Sequence, residues 1–446
     1  MFMDIKKEFL AILLVLCSSV SYAYDWYANP SLALTERYID NLRLQNPGSL
    51  PPIRGNFIST LSPTMTLGYI EDNHELNGGV TINQLLYHDQ PSLDFTEVLA
   101  NMNFSMQNTE RWSSGFKASF GDQASLGTES VQLGVNGSGA VSIQLARYTT
   151  TLAPNIAYRI DEKNTLQLSA NYMSTTYGPH PNQGLGYSPY DNLQATLSGI
   201  HAYSERLSLN VSASYSNYNT HNNVPSNCLF YGFVLRGGPI IPYTCQMAYQ
   251  QTSNTYSTQA GFNYFFTENL SMNGSVGLRD SASVSNLNYT PYFVPSLPSD
   301  SVTNSTVNGK TYALGINQDL EKGNVNISAS QQLNPASTGT QQQTTQVLAS
   351  GRYNLTEQWS TGLNASYLIT QSVSSVISPL VSNSAIFNRN LLSISPNLKW
   401  DWTPEMSFLL SYTYLDQKYT LSNQTATSNA LQLQFVYQPS INRQVK

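Results

Sequence analysis

Apolar and polar residues alternate with a period of two in one segment after another of this chain. Leu207, Leu209, Val211, Ala213 and Tyr215 fall on one face of a run whose other face holds Ser208, Asn210, Ser212 and Ser214. From Asn390 to Trp402 the apolar face is Leu392, Ile394, Pro396, Leu398, Trp400 and Trp402, opposite Ser393, Ser395, Asn397, Lys399 and Asp401. Val98, Ala100, Met102, Phe104 and Met106 repeat the design, as do Leu166, Leu168, Ala170 and Tyr172. Successive side chains of a strand point to opposite faces, so the pattern predicts strands with one apolar and one polar face. Strands of soluble sandwiches are usually about five or six residues long. These runs are nearer ~9 to 13, the length of tilted strands that cross a bilayer.

The connections alternate too. Short acidic turns stand at Glu71–His74, Thr109–Arg111, Asp161–Asn164, Ser204–Arg206, Thr267–Asn269, Glu321–Gly323, Thr356–Gln358 and Thr403–Glu405. Between them lie longer Ser-, Asn-, Gln- and Pro-rich stretches, notably Gly178–Tyr190, Asn219–Ser253, Ala282–Gly309 and Ser372–Asn388. Short turns on one rim and long loops on the other mark a transmembrane β-barrel, and hydrocarbon demands that its edges close. The fold expected is all-β: an antiparallel up-and-down barrel of about 18–20 strands, with periplasmic turns and extracellular loops. The uncertain strands are Leu32–Asn41 and the pair Ser130–Asn136 and Ala140–Tyr148; dropping the pair gives 18. An even count returns both ends to the periplasm.

The ends fix the compartment. Lys6 and Lys7 precede the apolar stretch Phe9–Cys17, and Ser21 and Ala23 place small residues at a cleavage site, so residues 1–23 read as a secretory signal. Residues 24–56 form an N-terminal segment with the first strand, 57–437 the barrel, and 438–446 a C-terminal periplasmic extension. The final strand, Asn429–Tyr437, resembles the signal read by the outer-membrane assembly machinery, although the chain runs on to Lys446. Past the signal, Cys228 and Cys245 remain, and in an exported chain a disulfide between them is the default. Two free thiols are the alternative.

Composition then narrows the class. The chain has 446 residues, a net charge of −6, 11% charged residues and 29 Tyr. Typical soluble domains carry roughly 25% charged residues. With 40% hydrophobic residues and a mean hydropathy of −0.27, a polytopic helical membrane protein is excluded. An acidic chain with 21 basic residues offers no electrostatic case for nucleic acid. Scarce charge fits a wall facing lipid, where Arg or Lys costs roughly 2–4 kcal/mol at the midplane.

Two stretches carry a family resemblance over most of the mature chain. Arg37, Tyr38, Ile39, Asp40, Asn41 and Leu42 look like the aromatic-x-Asp-Asn entry motif of the β-barrel porin 2 family, with Ile39 where the family often has Thr. Leu61-Ser-Pro63 and the residues to Tyr69 are similar to its Leu-x-Pro second strand. The resemblance implies an outer-membrane barrel associated with exopolysaccharide loci. It carries over no catalytic residues.

With apolar faces toward lipid, the lumen is predicted to be Ser, Thr, Asn and Gln with few charges: Lys117, Arg159, Arg279, Arg352 and Lys399 against Asp319 and Asp401. Five basic and two acidic groups leave +3 inside a −6 protein, and charged rings set ionic preference, which predicts mild anion selectivity. Equally, each basic group could pair with a neighbouring strand or line an occluded interior. Asn219–Ser253 is the loop expected to constrict or cap the pore, or else to be a solvated surface loop. Trp112, Trp359, Trp400 and Trp402 lie near the short turns and read as the periplasmic aromatic girdle. Tyr187, Tyr190, Tyr231, Tyr243 and Tyr292 are loop aromatics that could stack on sugars or simply pack.

The five His, at 74, 88, 180, 201 and 221, show no metal-box spacing, and no phosphate loop is present. No enzyme activity, metal or cofactor is expected. The reading is a passive outer-membrane channel for polar or anionic solutes, linked to exopolysaccharide secretion. Its partners would be outer-membrane lipid, the barrel assembly machinery, and polysaccharide or export-complex proteins. The alternative is a structural or adhesive barrel that binds glycans through its loops with an occluded lumen.

Overall fold

The computed structural model describes residues 25–44, 55–125, 144–178, 187–228, 243–291, 300–335, 341–373, 388–420 and 423–439. The expected signal at 1–23, the segment Ser130–Asn136 and most of the extension 438–446 lie outside them. The described residues form eighteen strands. The first six are β1 (Asp25–Ile39), β2 (Asn56–Glu71), β3 (His74–Tyr87), β4 (Phe95–Gln107), β5 (Trp112–Ala124) and β6 (Ala146–Arg159). Next come β7 (Asn164–Tyr177), β8 (Tyr190–Ala202), β9 (Leu207–Cys228), β10 (Tyr243–Thr267), β11 (Leu270–Pro291) and β12 (Asp300–Leu320). The last are β13 (Gly323–Pro335), β14 (Gln341–Asn354), β15 (Trp359–Ser372), β16 (Arg389–Thr403), β17 (Met406–Tyr419) and β18 (Thr425–Tyr437).

Each strand pairs antiparallel with its sequence neighbours, and β1 pairs with β18, so the sheet closes into a barrel without free edges. The closing ladder runs from Leu32 opposite Tyr437 to Ile39 opposite Ala430. The first strand begins at Asp25, earlier than the Leu32 expected, because Pro30 and Asn29 interrupt the apolar alternation without interrupting the pairing.

Six of the short hairpins share one device. A Ser, Thr or Asp opens the turn and its side-chain oxygen accepts the amide three residues on. Thr109 Oγ1 accepts from Trp112 N at 3.1 Å, Ser204 Oγ from Leu207 N at 3.1 Å, and Thr267 Oγ1 from Leu270 N at 3.0 Å. Thr356 does so for Trp359 at 3.0 Å, Thr403 for Met406 at 3.1 Å, and Asp161 for Asn164 at 2.9 Å. These side chains mimic a backbone turn and satisfy an amide that the ladder leaves open.

The two faces of the wall follow the alternation. Leu166, Leu168, Leu193, Leu197, Leu209 and Val211 are exposed on the outside and share register rows across β7–β9. The interior rows are hydroxyls and amides bonded across strands: Thr64 to Thr81 at 2.9 Å, Ser214 to Ser257 at 2.6 Å, and Ser395 to Thr413 at 3.0 Å. Gln434 donates to Thr35 Oγ1 across the closing seam at 3.1 Å. Near the short-turn rim, Trp359 stacks on Trp400 with ring centroids 5.4 Å apart, and Phe408 joins them. Trp112 packs on Tyr158 at 4.5 Å. These rings form the aromatic girdle at that rim.

Two expected loops are largely strand. β9 runs to Cys228 and β10 starts at Tyr243, so most of Asn219–Ser253 is paired, and β11 and β12 likewise occupy much of Ala282–Gly309. Beyond the bilayer neither face need be apolar, so these extensions lose the alternation that reveals a strand. Cys228 pairs with Tyr243 and Cys245 with Ser226, two rungs apart on adjacent strands. This places the cysteines as diagonal neighbours in the ladder; a bond between them remains a proposal.

Candidate functional site

The lumen is the candidate site, and the ladder registers decide what faces it. By register, the seven charges expected inside fall on the face opposite the exposed apolar rows. Lys117, Arg159, Arg352, Lys399, Asp319 and Asp401 lie toward the short-turn rim, while Arg279 lies higher on β11. Lys399 Nζ and Asp401 Oδ1 are 2.7 Å apart, so that pair largely neutralises itself. Arg352 reaches Ser360 Oγ at 3.4 Å.

Sequence reading missed a second tier toward the long-loop mouth. Arg37, Arg147 and Arg389 face inward there with Arg279, against Glu97; Glu75 adds an acid at the lower rim. Arg147, Arg279 and Arg389 are all at most 5% exposed. Arg389 Nη1 donates to Gln417 Oε1 at 2.7 Å, and Arg147 Nη2 approaches Tyr190 OH at 3.5 Å. These arginines sit near the long-loop ends of their strands, where apolar residues such as Ile39, Ile58 and Leu391 share their face and blur the alternation. Basic groups still outnumber acidic ones inside.

The mouth is narrowed by two inward features. In the first, β13 leaves β12 beyond Gln331 and continues paired only with β14, which itself stays paired with β15 up to Gln342. Its tip curls onto the inner wall: Ser253 Oγ of β10 donates to Gln341 Oε1 at 2.8 Å, and Arg279 Nη2 of β11 donates to Gln343 Oε1 at 2.7 Å. Gln341, Gln342 and Thr344 are buried here, as are Ser253, Thr255 and Ser281 of the wall. Gly309 makes this possible. A Cβ there would lie 2.7 Å from Arg279 Nε, so the missing side chain lets the guanidinium lie flat on β12. A Gln-rich hairpin thus takes up lumen space, while residues 229–242 of the expected constriction Asn219–Ser253 lie outside the described residues. Its tip is short and uncharged, so the sequence shows it only as turn-like polarity.

The second feature follows β1. Leu44, with φ at 50°, turns into the lumen and packs with Leu368, Leu391, Leu415 and Ala426. Ile39, Ile58, Tyr87, Leu93 and Ala430 form a neighbouring apolar cluster. Both clusters are on the interior parity, so the protein's buried apolar core lies inside the mouth of the barrel. Tyr190, read from sequence as a loop aromatic, is 1% exposed and packs on Tyr218 at 5.9 Å on this inner wall. Tyr187 stacks on Tyr177 at 5.0 Å. Tyr231, Tyr292 and His180 lie outside the described residues, as does the side chain of Tyr243.

On the outer face, Ser59 Oγ lies 2.7 Å from Glu36 Oε1 and 2.7 Å from His88 Nε2. The residue types are those of a hydrolytic triad, but the carboxylate meets the serine instead of orienting the histidine. Nearby amides are also committed, Phe57 N to Asp89 Oδ2 and His88 N to Phe57 O. Glu36 and His88 both bond Ser59, so the histidine is not held by the carboxylate as in a Ser-His-Asp relay. Among the described residues, no group of His, Cys, Asp and Glu is arranged to hold a metal ion.

No family model matches the chain, and no curated protein matches it. Solved structures share its barrel fold at low identity. The ferric yersiniabactin uptake receptor FyuA from Yersinia pestis is 11% identical with a TM-score of 0.45, covering 92% of this chain and 80% of that one. The siderophore receptor PiuA from Acinetobacter baumannii is 10% identical with a TM-score of 0.46, covering 94% and 82%. Pseudomonas aeruginosa OccK3 is 8% identical with a TM-score of 0.44, covering 92% and 96%. At these values the chain is similar to them as a large β-barrel, and to nothing finer.

Proposed function

We propose that the chain is an outer-membrane channel that passes small polar solutes with a preference for anions. The observation that carries this reading is the interior itself. Eighteen strands enclose a wall of cross-bonded hydroxyls and amides with basic groups in excess. Barrels of 16 to 18 strands leave room for an aqueous channel. A wall of neutral donors and acceptors replaces solute hydration without binding tightly, which suits passage. The same surface offers sugar hydroxyls suitable partners, and the link to polysaccharide secretion belongs to this reading as a proposal. Liposome swelling tests it: reconstituted protein should admit small sugars and, faster, small organic anions.

A second reading rests on the two inward features of the mouth. The curled β13–β14 tip and the Leu44 cluster occupy lumen cross-section, as an occluded adhesive barrel would require. Liposomes that exclude every solute while the protein still binds glycans would favour it.

A further inference from the structure

One register row on the outer wall is built from unusually short side chains. It runs Gly199, Val211, Ala260, Val276 and ends at Tyr312. A Cβ added at Gly199 would meet nothing within 4 Å. Val211 and Val276 stand 64% and 68% exposed, because their neighbours are too small to cover them. The result is an apolar groove of about 520 Å³ in the membrane-facing wall. Tyr215 and Tyr256, with ring centroids 5.1 Å apart, form a ledge on its long-loop side.

Two charges stand at its upper edge. Lys310 occupies the next row out, opposite Leu278, and lines the groove; Asp280 lies one row further out, opposite Asn308. Both are exposed on the outer face, and neither has a hydrogen-bond or ion-pair partner among the described residues. Lys310 is ten residues above Leu320, where β12 meets its short turn. At about 3.3 Å per residue and a tilt near 40°, that is roughly 25 Å, the height of the apolar band. Lys310 therefore sits at headgroup level, where a lipid-facing cation costs little.

We propose that this groove holds one acyl chain of a lipid whose headgroup carries a phosphate followed by a primary ammonium, with the phosphate on Lys310 and the ammonium on Asp280. The order of the two charges carries the assignment. In a phosphoethanolamine headgroup the phosphate lies nearer the acyl chains and the ammonium further out, and the wall presents cation then anion in that same order. A purely anionic lipid would meet Asp280 as a repulsive neighbour.

Delipidated, folded protein is incubated with phosphatidylethanolamine or phosphatidylglycerol of matched acyl chains, and retained lipid is counted by native mass spectrometry. The wild type should retain the ethanolamine lipid about three- to fivefold more, the scale of one exposed ion pair. Lys310→Gln should lower retention of both lipids, whereas Asp280→Asn should abolish the preference and keep binding. Heat-modifiable gel mobility confirms that each variant is folded. Equal retention of the two lipids by the wild type, or unchanged retention in Lys310→Gln, would overturn the proposal.

Discussion

Asp40 and Asn429 are joined by three hydrogen bonds. Asp40 N donates to Asn429 O at 3.1 Å, Asn429 N to Asp40 Oδ1 at 2.7 Å, and Asn429 Nδ2 to Asp40 Oδ2 at 2.7 Å. The residues are 389 positions apart, Asp40 directly after β1 and Asn429 within β18, so this is the clasp at the barrel's closing seam. Asn41 Nδ2 adds a bond to Thr427 O at 2.9 Å, and Tyr412 OH donates to Asn429 Oδ1 at 2.6 Å. The Asp-Asn pair that first suggested a family thus has a mechanical role here. Asp40→Ala should cost about 1–3 kcal/mol, because a carboxylate accepting two donors is lost and the donors are stranded. Urea unfolding in micelles, read by gel mobility, would show the earlier midpoint; an unchanged midpoint would mean that the β1–β18 ladder suffices alone.

The curled hairpin should limit flow. Replacing Gln341 and Gln343 together by Ala removes the bonds that hold the tip to Ser253 and Arg279. Single-channel conductance should rise, or flicker between two levels. Gly309→Ala should act in the same direction, by pushing the Arg279 guanidinium off the wall.

The turn device predicts small, independent losses. Thr267→Ala and Thr356→Ala each remove one acceptor for an exposed amide, costing about 0.5–1.5 kcal/mol. The two turns share no partner, so the double variant should lose close to the sum. Equilibrium unfolding of the single and double variants checks this.

One turn is also pH-sensitive. Asp161 accepts hydrogen bonds from the Asn164 side chain and from the Lys163 and Asn164 amides, and these, the side-chain bond foremost, hold its carboxyl below the usual range. A folded-state value lower than the unfolded one means that its contribution is complete above the ordinary aspartate range. It fades as pH falls through the lowered value. Asp161→Asn should therefore lose part of the wild type's difference in stability between neutral and strongly acidic pH, as measured by unfolding at the two conditions.

The barrel was legible because its wall has an inside and an outside. Leu207 to Tyr215 and Asn390 to Trp402 alternate strictly, since one face must satisfy lipid and the other water. Where that demand ends, legibility ended. The upper parts of β9 to β12 lose the strict alternation and read as loops, yet they pair residue by residue. The inward charges near the short turns were found from the same alternation. Arg37, Arg147 and Arg389 were missed because they stand near the long-loop ends of their strands. The hairpin contact over Gly309 joins β14 to β11, three strands apart in the sheet, which no local pattern encodes.

The reversal potential of single channels in a potassium chloride gradient bears most directly on a polar, basic lumen. The protein should conduct, and the potential should shift toward chloride equilibrium. Its magnitude should fall in Lys117→Gln and Arg352→Gln, which remove interior charge near the short-turn rim. A potential on the potassium side, or a barrel that never conducts, would contradict it.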